Sequence, residues 1–434
     1  MSSKVSRRDF VKGSAVAAAG VAASLASPRA AGANEKIRAG FIGVANRGGQ
    51  LIKAALEHDT VEIVALCDVY KPIMAQRAKE IGGDITQYGD FREMLERKDI
   101  DAIFIATPDH WHAIQTIMAC DAGKDVYVEK PLSMTIFEGR RMVEAARRNK
   151  SVVQVGTHRR ASELYERLHK VIQDGAIGKV TVAHCYRLSN MWPDGMGKVQ
   201  PSAPPEDLDW DMWLGPRAER PYQENITPYK FRWWQQYSSQ IGNWGVHYFD
   251  HIRWMLDEEA PVSVSAHGGR FALDDDRTVP DTMEAIFEFA SGRLLIFGQY
   301  EASGHSMMPG EVDLRGTKGI VYATPSSFEV IPERGGQFQS PEQRIEPMKE
   351  KAKGGNHSLT AMHIGNFFDC IKSRELPKAD VEIGHRSTSI SHLGNIALAT
   401  RSRIDWDAKA ERITNNDDAN DLLRYEYRKP WTLG

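Results

Sequence analysis

IRAGFIGVANRG, residues 37–48, decides how the rest of the chain is read. The apolar run Ile37 to Ile42 reads as a strand, and Gly43-Val44-Ala45-Asn46-Arg47-Gly48 follows it directly and opens a helix. The dinucleotide fingerprint at such a turn is G-x-G-x-x-G, and here Ala45 takes the middle place. Gly43 makes the tight turn, Gly48 allows close helix–strand packing, and the helix N-terminus, with Asn46 and Arg47 in its first turn, faces a pyrophosphate. A small alanine still lets the backbone approach a phosphate, though less comfortably than glycine. Any strand–turn–helix can carry two glycines, so the motif needs a second feature. Asp68 ends the next strand, about 20 to 25 residues on, where a carboxylate meets ribose hydroxyls. Read alone, Asp68 could equally cap a helix. A carboxylate there disfavours a 2′-phosphate, so NAD is preferred over NADP.

Outward from this turn, short apolar runs alternate with helical stretches. Strands are expected at Val61 to Cys67, Ala102 to Ala106, Val126 to Val128 and Val152 to Val155. Helices are expected at Leu51 to Leu56, Ile73 to Ile81, Ile114 to Ala122 and Glu138 to Arg148. Continuous apolar strands spaced by amphipathic helices imply a parallel sheet covered on both faces, the doubly wound α/β class. After Gly156 the texture changes. Helix at Leu164 to Ile172 and a run at Val180 to Tyr186 lead into a Pro/Trp-rich stretch, Asn190 to Trp234, and a helix at Gly245 to Leu256. Clustered strand-like runs between Val262 and Ile331, joined by Gly and Asp turns, suggest a largely antiparallel sheet. Two helices, Ala361 to Lys372 and Ser387 to Ala399, close the chain. The expected organisation is a Rossmann domain over 34–156 and an α+β domain over 157–434.

Residues 1–33 stand apart. Ser6-Arg7-Arg8-Asp9-Phe10-Val11-Lys12 precedes a short apolar, alanine-rich run with a small-residue exit, and the paired arginines specify a twin-arginine export signal. The run would span a membrane poorly, so the twin-arginine machinery is the expected partner and the periplasm the expected destination. A chain of 434 residues fits two domains, and a net charge of −3 with no basic stripe argues against a nucleic-acid partner. The four cysteines, Cys67, Cys120, Cys185 and Cys370, lie far apart. A protein that folds in the reducing cytoplasm before export is expected to bury them as thiols.

Thr107-Pro108-Asp109-His110-Trp111-His112 ends the next strand of the sheet, and Asp125-Val126-Tyr127-Val128-Glu129-Lys130-Pro131 runs apolar and then stops on a charged pair and a proline. Ligands in such sheets lie beyond the carboxyl ends of the strands, so both loops overlook the cleft. Lys130, restricted from behind by Pro131, stands where nicotinamide and the reacting carbon should meet. Tyr127-Val128-Glu129-Lys130-Pro131-Leu132, preceded by Thr107 to Ala113, resembles the Gfo/Idh/MocA oxidoreductases over Ile37 to about Ala399. The resemblance implies an NAD(P)-dependent oxidoreductase with Thr107, Pro108, His110, His112, Glu129, Lys130 and Pro131 around the cofactor. It also implies that the second domain's antiparallel sheet is open, a cis bond before Pro131, and pairing into a homodimer or homotetramer through that open sheet.

The second signature is Gly242-Asn243-Trp244-Gly245-Val246-His247-Tyr248-Phe249-Asp250-His251. Many members of that family carry Asp-x-x-x-His-x-x-Asp here, the histidine exchanging a proton with the substrate. This chain keeps His247 and Asp250 but has Asn243 for the first acid. Four apart on a helix, Asn243 and His247 are expected to share a face. Oxidising a secondary alcohol needs a hydride acceptor and a base. His247 and Lys130 are the candidates for base and for the cation that steadies an alkoxide, and the residues alone leave their roles open. Without that resemblance His247 would read as a core histidine. Candidate substrate binders are His158, Arg159, Arg187 and Trp192, with Asn243 and His247; solvated or salt-bridged arginines are the plain alternative. Trp192, Trp210, Trp213, Trp233, Trp234 and Trp244 could stack on a sugar or simply fill a core. His247 with His251, and His110 with His112, have ligand spacing but no third partner, so no metal is expected.

Three functions fit. The first is an exported NAD-dependent oxidoreductase acting on a sugar, glycoside or cyclitol hydroxyl, its cofactor held tightly because the periplasm offers no nicotinamide pool. The second is an NAD-dependent glycosidase running a redox-neutral oxidation, elimination, hydration and reduction. The third is a binding module that kept the fold and lost the chemistry.

Overall fold

The computed structural model describes residues 36–306, 309–352 and 356–433. The expected export signal over 1–33 lies outside the described residues. Strands β1 (Ile37–Ile42), β2 (Val61–Cys67), β3 (Thr86–Tyr88), β4 (Ala102–Ile105), β5 (Asp125–Val128) and β6 (Val153–Val155) form a six-stranded sheet in the order β3-β2-β1-β4-β5-β6. Every pairing is parallel. Helices α1 (Asn46–Ala55), α2 (Lys71–Ile81), α3 (Phe91–Leu95), α4 (His112–Asp121) and α5 (Ile136–Asn149) connect them. β4 and β5 are buried at every position, as central strands covered on both faces must be. α5 starts on a capping box in which Thr135 and Glu138 satisfy each other's amides. β3 was not expected: Thr-Gln-Tyr at a sheet edge carries no apolar run, and only pairing to β2 makes it a strand. The order reverses between β1 and β4, so the crevice beyond their carboxyl ends is the natural ligand site.

The chain then runs through α6 (Glu163–Gln173) into β7 (Val180–Leu188). A short helix α7 (Trp210–Leu214) lies within the Trp-rich stretch, and α8 (Val246–Leu256) follows it. β8 (Pro261–Gly269), β9 (Thr282–Phe289), β10 (Leu294–Tyr300), β11 (Val312–Gly316), β12 (Gly319–Thr324), β13 (Ser327–Pro332) and β14 (Met348–Lys351) come next. Helices α9 (Asn356–Ser373) and α10 (Val381–Thr400) precede β15 (Ile404–Asp407) and β16 (Arg412–Ile413). The ten-stranded sheet runs β14-β13-β12-β11-β7-β10-β9-β8-β15-β16, antiparallel except for β7 beside β10. β9 shows why one face is covered: Met283, Ala285, Phe287 and Phe289 are buried on the side of α8 and α10, while Ile286 on the other side is exposed.

The packing does not follow a cut of the chain at Gly156. α9 lies in the 157–434 segment, yet Ala361, Ile364, Phe367 and Phe368 join Ile37, Phe41 and Phe104 in the core of the first sheet. The tail residues Tyr427 and Trp431 pack against the first unit as well. An amphipathic stripe records that a face is buried, not which neighbour buries it. All four cysteines are buried and unpaired, and among the described residues no helix is long and apolar enough to cross a membrane.

Candidate active site

A cavity of about 400 Å³ opens at the switch point, lined by Gly43, Ala45, Asn46, Arg47, Asp68, Thr107 and Pro108. Gly43 has φ +79°, and a Cβ there would lie 2.7 Å from the Thr107 nitrogen; one on Gly48 would lie 1.9 Å from the Gly43 oxygen. The turn is therefore built of bare backbone packed as tightly as glycine allows. No side chain caps α1, and its first turn carries no acid, so its leading amides remain for an anion. Asp68 accepts from the Val44 amide at 2.8 Å and the Tyr70 amide at 3.0 Å, which ties β2 to the glycine turn. Burial pushes its carboxyl above the usual range against those amides. A carboxylate has about four acceptor sites, so ribose hydroxyls can still be bound. An uncapped helix start, a Cβ-free turn and an acid at the end of β2 fit a dinucleotide.

Arg47 is not free for a phosphate: its Nε donates to Glu129 Oε1 at 2.7 Å. Burial alone would raise the Glu129 carboxyl, but Arg47 and Lys130 together hold it below its ordinary value. His112 lies across the two loops, its Nδ1 2.8 Å from the Pro131 carbonyl and its Nε2 3.0 Å from the Thr107 carbonyl. It sets the distance between them rather than facing the cavity. His110 is buried against Trp213 and Tyr237, with Nε2 2.9 Å from the Trp213 carbonyl. It too lies away from the cavity lining.

The Lys130–Pro131 bond is cis. Lys130 Nζ donates to Asn243 twice, to the backbone oxygen at 2.9 Å and to Oδ1 at 2.7 Å. Burial pushes the ammonium down to about 8, with Arg232 and Arg47 adding to the fall and Glu129 and Asp109 opposing it. Asn243 therefore serves the lysine, not the imidazole expected on its own helix face. The reason is local: Ile241–Gly245 is a turn of π-helix feeding α8, and its wider turn re-aims the Asn243 side chain.

His247 and His158 face each other with ring centroids 5.3 Å apart. The Nδ1 atoms of both are buried without a hydrogen-bond partner. Burial first, and then nearby cations including Arg159, push both rings well below the ordinary histidine value, so both are neutral at physiological pH. Asp250 is held by Arg160 at 2.8 Å and by Ser387, and His251 bonds the His247 carbonyl at 2.6 Å. Arg159 is paired with Glu311 at 2.6 Å, and Arg187 lies 4.3 Å over the Trp244 ring. Trp192 is 65 % exposed. Of the expected substrate binders, then, His158, Asn243 and His247 gather around Lys130, while Arg159 and Arg187 already have partners and Trp192 stands in solvent. Among the described residues no group of three His, Cys, Asp or Glu side chains could hold a metal ion.

Several cavity residues escaped the sequence reading. Tyr70, Tyr222, Phe231 and Arg232 all line it, beside Trp213, whose role the sequence left open. Arg232 also adds positive charge near Lys130. For Tyr222, Phe231 and Arg232 the only signal was their place in the Pro/Trp-rich stretch, which says nothing about which surface it covers; Tyr70 follows β2 and carried none.

Comparison with known proteins agrees with this geometry. Residues 37–157 match the oxidoreductase family's NAD-binding Rossmann fold, and residues 162–433 match its C-terminal alpha/beta domain. The chain belongs to the Gfo/Idh/MocA oxidoreductase family. Residues 4–24 match the twin-arginine translocation signal, so this oxidoreductase is exported. It is 25% identical to the rhizopine catabolism protein MocA of Rhizobium meliloti, over 80% of this chain and 98% of that one. It is 30% identical to inositol 2-dehydrogenase of Salmonella typhimurium, but only over 34% of this chain and 45% of that protein. In fold it is similar to levoglucosan dehydrogenase in complex with NADH (TM-score 0.66, 18% identity, 86% of this chain and 99% of that one). The WlbA dehydrogenase from Bordetella pertussis, in complex with NADH and UDP-GlcNAcA, has a TM-score of 0.65 at 20% identity, over 86% of this chain and 99% of that one.

Proposed function

We propose that this NAD-binding oxidoreductase oxidises a secondary hydroxyl on a sugar, glycoside or cyclitol in the periplasm, with Lys130 as the base and NAD held through many turnovers. The observation that carries the reading is the convergence of Asn243, His158 and His247 on Lys130, whose ammonium feels Arg47 and Arg232 of the cavity lining. When bound, the nicotinamide supplies the hydride acceptor. The rest is the work of the chain. Asn243 accepts two hydrogens from Lys130 Nζ, which leaves one tetrahedral position on that nitrogen. Below about pH 8 that position is a third N–H and above it a lone pair, so the amine is poised to take a hydroxyl proton near neutral pH. His158 and His247, their ring centroids 5.3 Å apart, place two neutral imidazoles beside the amine without adding charge. The names of the relatives, inositol, levoglucosan and a nucleotide sugar acid among them, point to polyhydroxylated rings. Asp68 supports NAD over NADP, because a 2′-phosphate would meet a buried acid.

The glycosidase reading is not favoured. The match to a glycosyl hydrolase family 109 protein of Shewanella covers 26% of this chain and 27% of that protein. The experiment that tests the proposal mixes the protein as purified with a panel of pyranosides and cyclitols and follows products by mass spectrometry. A keto-product formed at most once per protein, continuing when an acceptor is supplied, is expected. Cleaved glycoside over many turnovers would overturn it. The exposed face of the ten-stranded sheet, with Ile286 on it, supports a homodimer or homotetramer, to be measured by light scattering.

A further inference from the structure

The Trp-rich stretch does something that a core-filling role leaves unexplained. Its segment 205–232 leaves the second unit, crosses the cofactor cavity and is tied to the first unit at two strand ends. At the end of β2, Tyr70 and Leu208 form an antiparallel bridge, with Lys71 donating to the Asp207 carbonyl at 3.2 Å and Asp209 donating to the Val69 carbonyl at 2.9 Å. At the end of β4, the Trp111 indole donates to the Trp213 carbonyl at 3.1 Å. A Cβ on Gly215 would lie 2.1 Å from the Trp111 ring, so backbone and indole are in direct contact there. From outside, Arg428 in the C-terminal tail donates to the carbonyls of Gly215 at 2.8 Å and Asp211 at 2.9 Å, and its own amide donates to the Pro216 carbonyl. Beneath these ties the segment presents Leu208, Trp213, Tyr222, Phe231 and Arg232 to the cavity, opposite Gly43 and Asp68.

We propose that segment 205–232 is a clasp that retains the dinucleotide, with Trp213, Tyr222 and Phe231 as its apolar roof and Arg428 as the latch. The proposal rests on the reading of the cavity as an NAD site and deepens it. The ties join the strand ends that frame the ligand, so the cavity cannot empty sideways while they hold. A cofactor enclosed this way enters as the chain folds and leaves only when the ties at Val69, Trp111 and Arg428 break together. For a protein exported to a compartment without nicotinamide nucleotides, that retention permits turnover after export. Arg428 does not line the cavity, so the latch can be weakened without removing a residue from the site.

The test reads cofactor, not activity. NAD released by denaturing the purified full-length protein is quantified, and then its exchange against excess isotopically labelled NAD is timed for wild type, Arg428→Ala and Trp213→Phe. Wild type is expected to carry NAD and exchange it over hours. Arg428→Ala should exchange roughly 30- to 150-fold faster, the effect of losing two or three hydrogen bonds of about 1 kcal/mol each. Trp213→Phe keeps the backbone acceptor and shrinks the roof, so it should also speed exchange if the latch variant fails to fold. Rapid exchange by wild type, or exchange at the wild-type rate by both folded variants, overturns the clasp and leaves the NAD site standing. Protein that neither carries nor binds NAD overturns the cofactor reading, and the clasp with it.

Discussion

Replacing Asn243 by aspartate tests the chemistry at its most sensitive point. In the wild type a neutral amide accepts from Lys130 Nζ at 2.7 Å, and burial leaves the ammonium titrating at about 8. Asn243→Asp puts a carboxylate of nearly the same shape in that place. Two unit charges about 4 Å apart at an effective dielectric of about 20 attract by about 4 kcal/mol. At about 1.4 kcal/mol per pKa unit this is a rise of about three units. The cost of burying a second carboxylate near Glu129 offsets part of it, so a rise of about one to three units is expected. The assay is kcat/KM for alcohol oxidation from pH 6 to 11, on protein checked for thermal stability and NAD content. With Lys130 as the base, the rising limb of the profile should move from about 8 to above about 9. The rate at pH 7 should then fall by about 10- to 1000-fold and recover in alkali. A folded, NAD-loaded variant with an unmoved rising limb would refute the reasoning. A falling limb that moves upward instead would reassign Lys130 to steadying an alkoxide as a cation.

Other expectations follow from the same geometry. Asp68→Ser removes the acid that bonds the Val44 and Tyr70 amides and should weaken NAD binding by about tenfold or more, the loss of a charge-assisted hydrogen bond of about 1.5–3 kcal/mol; unchanged affinity in calorimetry would remove Asp68 from the site. His247→Ala should lower turnover by at least about a hundredfold while bound NAD remains, because the ring lies near Lys130 but does not line the cofactor cavity; an active variant would deny it a role. Acid should destabilise the fold early. Burial pushes His110 and His251 down to about 3 and His363 and His392 down to about 4. Their unfolded values lie near 6.5, so the unfolded chain binds more protons in between. The stability they contribute is whole above about pH 6.5 and is lost as pH falls, by up to about 1.4 kcal/mol per unit for each ring. A melting temperature flat between pH 6.5 and 4.5 would contradict that.

Much of this protein was legible in order along the chain because its first unit is built from local signals. A strand buried on both faces must be apolar, as Ala102–Ile105 is, a tight turn against a strand end must be glycine at Gly43, and an acid that answers that turn must end the neighbouring strand, as Asp68 does. These constraints act within a few tens of residues, and the sequence by itself determined the doubly wound sheet, the cofactor class and the Lys130 loop through them. Tertiary structure alone decided what depends on meetings between distant segments. α9 completes the first core although it lies with the second unit in the chain, because its apolar stripe fits either surface and only the assembled sheet selects one. Asn243 turns to Lys130, 113 residues away, because one π-helical turn re-aims it, and hydrophobic periodicity does not record a single wide turn. Arg159 and Asp250 are held by Glu311 and Arg160, which no spacing announces. The tryptophans of 205–232 carry the same apolar signal whether they fill a core or close a cleft. Only the tertiary structure brings the backbone of Asp207 and Asp209 to the end of β2 and Trp213 into the cavity wall.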